Sequence, residues 1–141
     1  MKRSARIMLF TGVLALVLAV LCPGAFAAPK GDPIVIGYVG FVASPGTKPC
    51  MDIQRVAVDE INAAGGILGR PVKYIVMDGK GDTSLSVEAA LKLIIEDKAT
   101  FVSVEGRTEI CLAAQENSAA LFREYPHILV FNGPMGAELT D

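Results

Sequence analysis

The stretch Glu60-Ile61-Asn62-Ala63-Ala64-Gly65-Gly66-Ile67-Leu68-Gly69-Arg70-Pro71-Val72 carries an amphipathic segment that stops on paired glycines and restarts as an apolar, extended run. Glycine accepts the left-handed backbone that closes a helix, and Pro71 forbids the helix from resuming. Sterics alone therefore predict a helix C-terminus feeding a strand. The glycines from Gly65 to Gly69 do not mark a nucleotide site, because a phosphate cradle needs the reverse order, a strand leading into a helix.

Working outward, four short apolar runs are expected as buried strands: Ile34 to Val39, Val72 to Met77, Phe101 to Val104 and Ile128 to Phe131. Between them lie three segments with helical spacing. The first carries Ile53, Val56, Ala57, Ile61 and Ala64, the second Val87, Ala90, Leu91, Ile94 and Ile95, and the third Leu112, Ala113, Ala120 and Leu121. Runs that are apolar throughout suit strands covered on both faces, and alternating strands and helices require right-handed crossovers in a parallel sheet. The expected fold class is α/β, a doubly wound parallel sheet. Asp82, Thr83 or Ser84 can cap the second helix, Lys98 suits its C-terminal end, and Tyr125-Pro126 is expected to end the third. Ala43 to Pro49 is the one linker-like stretch within this pattern.

The 141 residues allow one domain, and the front end reads as a leader. Lys2, Arg3 and Arg6 form a basic head, Ile7 to Leu21 is uncharged, and Ala25-Phe26-Ala27 is a small-x-small cleavage signal. As a helix the uncharged run spans about 22 Å, short of the roughly 30 Å hydrocarbon core, so a secretory signal over residues 1–27 is expected rather than an anchor. Cys22 raises a lipoprotein alternative, but Leu21 stands where such signals want a small residue. Cleavage near Ala27 would release the chain on the extracytoplasmic side. The remainder carries ten basic and fifteen acidic residues, a net charge of −5 that repels phosphate backbones, so nucleic acid is not an expected partner. Cys50 and Cys111 remain as an even pair in an oxidising compartment, where a disulfide between them is allowed. No Cys or His cluster has metal-ligand spacing, no cofactor motif is present, and His127 beside Pro126 reads as a strand-edge residue.

Ligands of open α/β sheets bind beyond the carboxyl ends of the strands, which directs attention to Phe41 to Cys50, Gly79 to Thr83, Glu105 to Cys111 and Asn132 to Met135. The first, third and fourth loops should face a common cleft. They offer Ser44, Thr47, Thr108 and Asn132 as neutral donors, with main-chain amides near Gly106 and Gly133. Hydroxyls and helix-start amides suit a small carboxylate; the competing reading is that these residues only cap helices and turns. Gly46-Thr47-Lys48-Pro49 inverts the order of a phosphate loop, and Asp78 and Asp82 read as a turn and a helix cap rather than paired catalytic acids. Nothing in the chain has the pattern of a nucleophile elbow, a metal site or a histidine–carboxylate pair, so no enzymatic activity is expected.

Ile34-Val35-Ile36-Gly37, the glycine turn from Glu60 to Val72, and Asp78-Gly79-Lys80-Gly81-Asp82 together closely resemble the first lobe of the type I periplasmic solute-binding proteins, the branched-chain amino acid (Leu/Ile/Val) receptor group of ABC transporters. The resemblance covers residues 31 to 141 but only the opening part of that family's chain, and Gly136-Ala137-Glu138-Leu139-Thr140 matches wording that precedes the end of its first lobe. It implies that residues 28–141 are an incomplete N-terminal lobe, truncated after the fourth strand, in a fragment or a truncated product. The implied function is binding of an amino acid or a related amide or urea-like solute for an ABC permease in the inner membrane. An extracellular sensor domain and a non-functional truncated product are the alternatives. Many members place a Gly-Pro-x-Ser-Ser-like turn after the third strand, whose serine contacts the ligand carboxylate. Here Gly106 matches, Thr108 supplies a hydroxyl one position early, and Glu109 falls where serine is expected. A carboxylate at Glu109 would repel an acid unless Arg107 neutralised it, leaving two readings open: a ligand that brings an amine or amide, or an anion bound by Arg107 itself.

Overall fold

The computed structural model describes residues 28–133; the leader and Gly136 to Thr140 lie outside the described residues. The chain runs β1 (Ile34–Gly40), α1 (Thr47–Ala63), β2 (Val72–Asp78), α2 (Thr83–Ile95), β3 (Phe101–Glu105), α3 (Thr108–Ala119) and β4 (Ile128–Asn132). All pairings are parallel and the sheet order is β2-β1-β3-β4. The expected α/β doubly wound class is therefore observed, each strand one residue longer than its apolar run.

The glycine turn closes as the sequence predicts. The Gly65 amide donates to the carbonyl of Asn62 and the Gly66 amide to that of Ile61, the paired bonds of a Schellman ending. Gly66 has φ +77°, and a Cβ there would stand 2.0 Å from the Arg70 carbonyl oxygen, so no side chain fits. Asn62 adds a tie that spacing alone did not reveal. Its side chain donates to the Val72 carbonyl at 2.9 Å and accepts from the Val72 amide at 2.7 Å, satisfying the outer edge of β2 where that strand begins. Arg70 Nε donates to the Asp32 carbonyl at 2.8 Å, fastening the turn to the chain entering β1.

The two faces of the sheet are covered unequally. Val35, Val39, Val102 and Val104 meet Ala89, Ala90, Leu93 and Ile94 of α2 and Ile110, Cys111 and Ala114 of α3, which form the main core. The opposite face receives α1, through Thr47, Met51 and Val58. Tyr74 of β2 donates to Gln54 of α1 at 2.6 Å, and burial pushes its hydroxyl pKa up to about 12, so it stays a donor. On that same face Phe101, Ile128 and Val130 remain partly exposed, and β4 is an edge strand among the described residues.

Several helix-face expectations need correction. Ile53 and Val56 have the helical spacing, yet they are 70% and 57% exposed, and α1 seats Thr47, Met51 and Val58 instead. In α2 the inward stripe is Ser86, Ala89, Ala90, Leu93 and Ile94, so Leu91 and Ile95 lie beside it. Helix α3 ends at Ala119, before Tyr125-Pro126, and its buried positions are Ile110, Cys111, Ala114 and Ser118. Alanine and the aliphatics are so frequent here that more than one stripe satisfies helical spacing, and contact with the sheet decides between them. Asp82 is the cap of α2, accepting from the Leu85 amide at 2.9 Å. His127 is 7% exposed and its Nδ1 lies 2.6 Å from the Tyr125 carbonyl, the anchored strand-entry residue that the sequence suggests.

The disulfide allowed by the cysteine count is absent: both thiols are free. Cys50 is exposed on α1, whereas Cys111 is buried on α3 against the Val104 and Gly106 carbonyls, and the sheet lies between those two helices. Burial, reinforced by Glu109, raises the Cys111 thiol pKa and keeps it protonated.

Replacing Gly66 by Ala is expected to lower stability by roughly 1–3 kcal/mol in chemical denaturation, since the residue must hold a positive φ against the Arg70 carbonyl; an unchanged midpoint would show that the turn yields freely. As an isolated polypeptide, residues 28–141 are expected to self-associate through the apolar edge and face of β4, with Val130→Lys shifting the equilibrium to monomer in sedimentation velocity. A concentration-independent monomer that melts cooperatively would overturn that expectation.

Candidate functional site

The strand order turns back at β1: α1 carries the chain outward to β2, and α2 returns it across the other face to β3. The loops after β1 and β3 consequently diverge to opposite faces, leaving a crevice at their carboxyl ends, the place where open α/β sheets bind ligands. An open cavity of about 380 Å³ occupies that position. Of the residues expected at the site, Ser44, Thr47, Gly106, Arg107, Asn132 and Gly133 line it together. Thr108 and Glu109 do not line it; Thr108 is the half-buried first residue of α3, and Glu109 points its carboxylate at Arg107.

Arg107 Nε lies 2.7 Å from Glu109 Oε1, so the two opposite charges are paired at the surface. Both side chains are more than half exposed, so the pair adds little to stability. Other expected donors are also engaged. The Gly106 amide donates to the Asn132 carbonyl at 3.3 Å, joining β3 to β4, and Asn132 Nδ2 donates to Ser103 Oγ at 2.6 Å. Thr47, only 1% exposed, donates through Oγ1 to Glu105 Oε1 at 3.0 Å.

Glu105 is the residue that the sequence reading passed over. It closes β3 on the α1 side of the sheet, half-buried, and also accepts from the hydroxyl of fully buried Tyr38. Gly40 makes room for this arrangement: a Cβ there would come within 2.8 Å of the Tyr38 ring and 2.9 Å of its hydroxyl. Partial burial raises the Glu105 pKa above its ordinary value, because the charged form loses solvent. A signal was present in Phe101-Val102-Ser103-Val104-Glu105, where an apolar strand ends in a charge, but the two hydroxyl partners come from distant segments. Phe41, Gly81 and Ile110 complete the lining and were likewise not singled out.

Comparison with known proteins establishes the family and the fold. Residues 33–132 match the periplasmic binding protein family, and the chain belongs to that family. The branched-chain amino acid transporter substrate binding protein LivJ from Streptococcus pneumoniae, solved with isoleucine, is similar at 28% identity and a TM-score of 0.64, over 77% of this chain and 31% of its own. A putative branched-chain amino acid ABC transporter protein from Silicibacter pomeroyi shares the fold at 24% identity and a TM-score of 0.54, covering 71% of this chain and 25% of that one. So does a solute binding protein of an ABC transporter from Rhodopseudomonas palustris, in complex with 3,4-dihydroxybenzoic acid, at 16% identity and a TM-score of 0.59, covering 78% and 30%. This chain thus spans less than a third of the length of each of these proteins.

A carboxyl group whose pKa rises on folding contributes stability below its unfolded pKa and loses it as the pH climbs through the folded value. Glu105→Gln is therefore expected to melt no lower than the parent at neutral pH, with any advantage disappearing as the pH falls through the ordinary carboxylate range. A variant several degrees less stable at neutral pH would mean that the Tyr38 and Thr47 hydrogen bonds to the ionised carboxylate outweigh its desolvation.

Proposed function

We propose that this chain contributes one ligand-facing lobe of an extracytoplasmic solute-binding component of an ABC importer, acting on amino acids or related small polar solutes such as amides. In this reading residues 1–27 are a signal peptide cleaved near Ala27, and residues 28–141 are part of the N-terminal lobe. The observation that carries it is the cavity of mixed polar and apolar lining at the carboxyl ends of β1, β3 and β4, on a chain of the periplasmic binding protein family. No helix among the described residues is long and apolar enough to cross a membrane.

The mechanism is clamp closure rather than catalysis. A solute bound between this lobe and a second one contacts both, and its stronger interaction with the closed arrangement shifts the open–closed equilibrium toward it. The closed form is what an inner-membrane permease would receive. The site residues of this lobe are Ser44, Thr47, Gly106, Arg107, Asn132 and Gly133, with Glu105 between them; Thr108 and Glu109 hold the α3 start and the charge balance of Arg107.

The test uses the whole polypeptide as the cell makes it, screened against amino acids and small amides by thermal shift and small-angle scattering. At least one solute is expected to raise the melting temperature saturably and to reduce the radius of gyration. A flat response in both measurements across the panel would overturn the transport reading.

A further inference from the structure

The cavity differs from an anion site in how its donors are used. Thr47 Oγ1 and the Tyr38 hydroxyl are given to Glu105, the Gly106 amide to the Asn132 carbonyl, one Asn132 amide hydrogen to Ser103, and Arg107 to Glu109. Several of the groups that could receive a carboxylate are thus already donating within the protein, while Ser44, the second Asn132 amide hydrogen and the rest of the Arg107 guanidinium complete the polar part of the wall. Beside them the wall offers acceptor capacity at Glu105. A carboxylate offers about four lone-pair positions, and the two internal hydroxyls occupy one on each oxygen of Glu105, leaving the remainder on a half-buried side chain that lines the cavity.

Charge points the same way. Of the two charged residues lining the cavity among the described residues, Arg107 is paired with Glu109, and Glu105 has no cation within ion-pair distance among them. Its Oε1 lies against Thr47, the first residue of α1, where the positive end of the helix dipole favours an anion. Glu105 therefore takes the place that the carboxylate of a solute would otherwise seek, and a second anion brought beside it would be repelled.

We propose that Glu105 sets the specificity of this lobe by accepting the ammonium group of a small amine-bearing solute, so that the lobe reads the cationic end of its ligand. This rests on the solute-binding reading and narrows it, placing the amine rather than the carboxylate of an amino acid at the end of β3. Tyr38 and Thr47 are positioning residues that fix the two carboxylate oxygens. An ammonium held by a partly desolvated carboxylate forms a charge-assisted hydrogen bond, stronger than one between neutral groups.

The probes are L-leucine, L-leucinamide, 1,5-diaminopentane, N-acetyl-L-leucine and acetamide, titrated calorimetrically into the whole native polypeptide and into its Glu105→Gln variant. Binding is expected among the three amines and not the two acylated compounds. The variant, verified as folded by its melting curve, should lose roughly 10- to 100-fold in amine affinity. Preference for N-acetyl-L-leucine or acetamide by the native protein, which needs no variant to detect, would overturn the assignment of Glu105 while leaving solute binding intact. Unchanged amine affinity in the variant would do the same. Failure of all five probes to bind the native protein would overturn this inference, and a flat response across the wider solute panel as well would overturn the solute-binding reading with it.

Discussion

The structure depends on β1 being central. It pairs with β2 along its whole length, from Ile34 with Val72 to Gly40 with Asp78, and with β3 on its other side from Ile36 with Phe101 to Val39 with Val104. Once the first crossover leaves in one direction and the second returns past β1, right-handedness places α1 on one face and α2 on the other. The crevice between their loops is thus a product of chain path before any side chain is considered. It also keeps Cys50 and Cys111 apart, although both sit near the starts of helices.

The alternation of side chains along β3 and β4 then gives that crevice its chemistry. Register aligns Phe101 with Ile128, Ser103 with Val130, and Glu105 with Asn132, so one face grades from apolar at its amino end to polar at its carboxyl end. The intervening residues Val102, Val104, Leu129 and Phe131 serve the core under α2 and α3. A slip of one residue in β3 would send Glu105 into that apolar core and expose Val102 and Val104, and one in β4 would expose Leu129 and Phe131. The placement of the carboxylate is therefore enforced by the same pattern that buries the aliphatics.

How much of this was legible depended on whether a feature was local. The turn from Glu60 to Val72 could be read because Gly65, Gly66 and Pro71 act through their own backbones, and the strands because each is a short apolar run between breakers. Asp82 was readable as a cap for the same reason. The helix faces were not, since Ile53 and Val56 fit helical spacing as well as Met51 and Val58 do, and only the sheet distinguishes them. The loops that meet at the cavity followed from topology, but the bonding state of their donors did not. Glu105 lies 67 residues from Tyr38 and 58 from Thr47, so no spacing rule connects the three.

The bare face and the candidate site are two ends of one surface. Phe101, Ile128 and Val130 are exposed where Glu105 and Asn132 are polar, and α1 lies over the β2 side of the sheet, meeting β3 through Thr47 at Glu105. An element laid over those apolar side chains would lower the dielectric around Glu105 and strengthen every interaction the carboxylate makes. It would also raise the cost of leaving that charge without a partner. Covering the β3–β4 face and filling the cavity with a cation are therefore energetically linked, because the first makes the second more favourable.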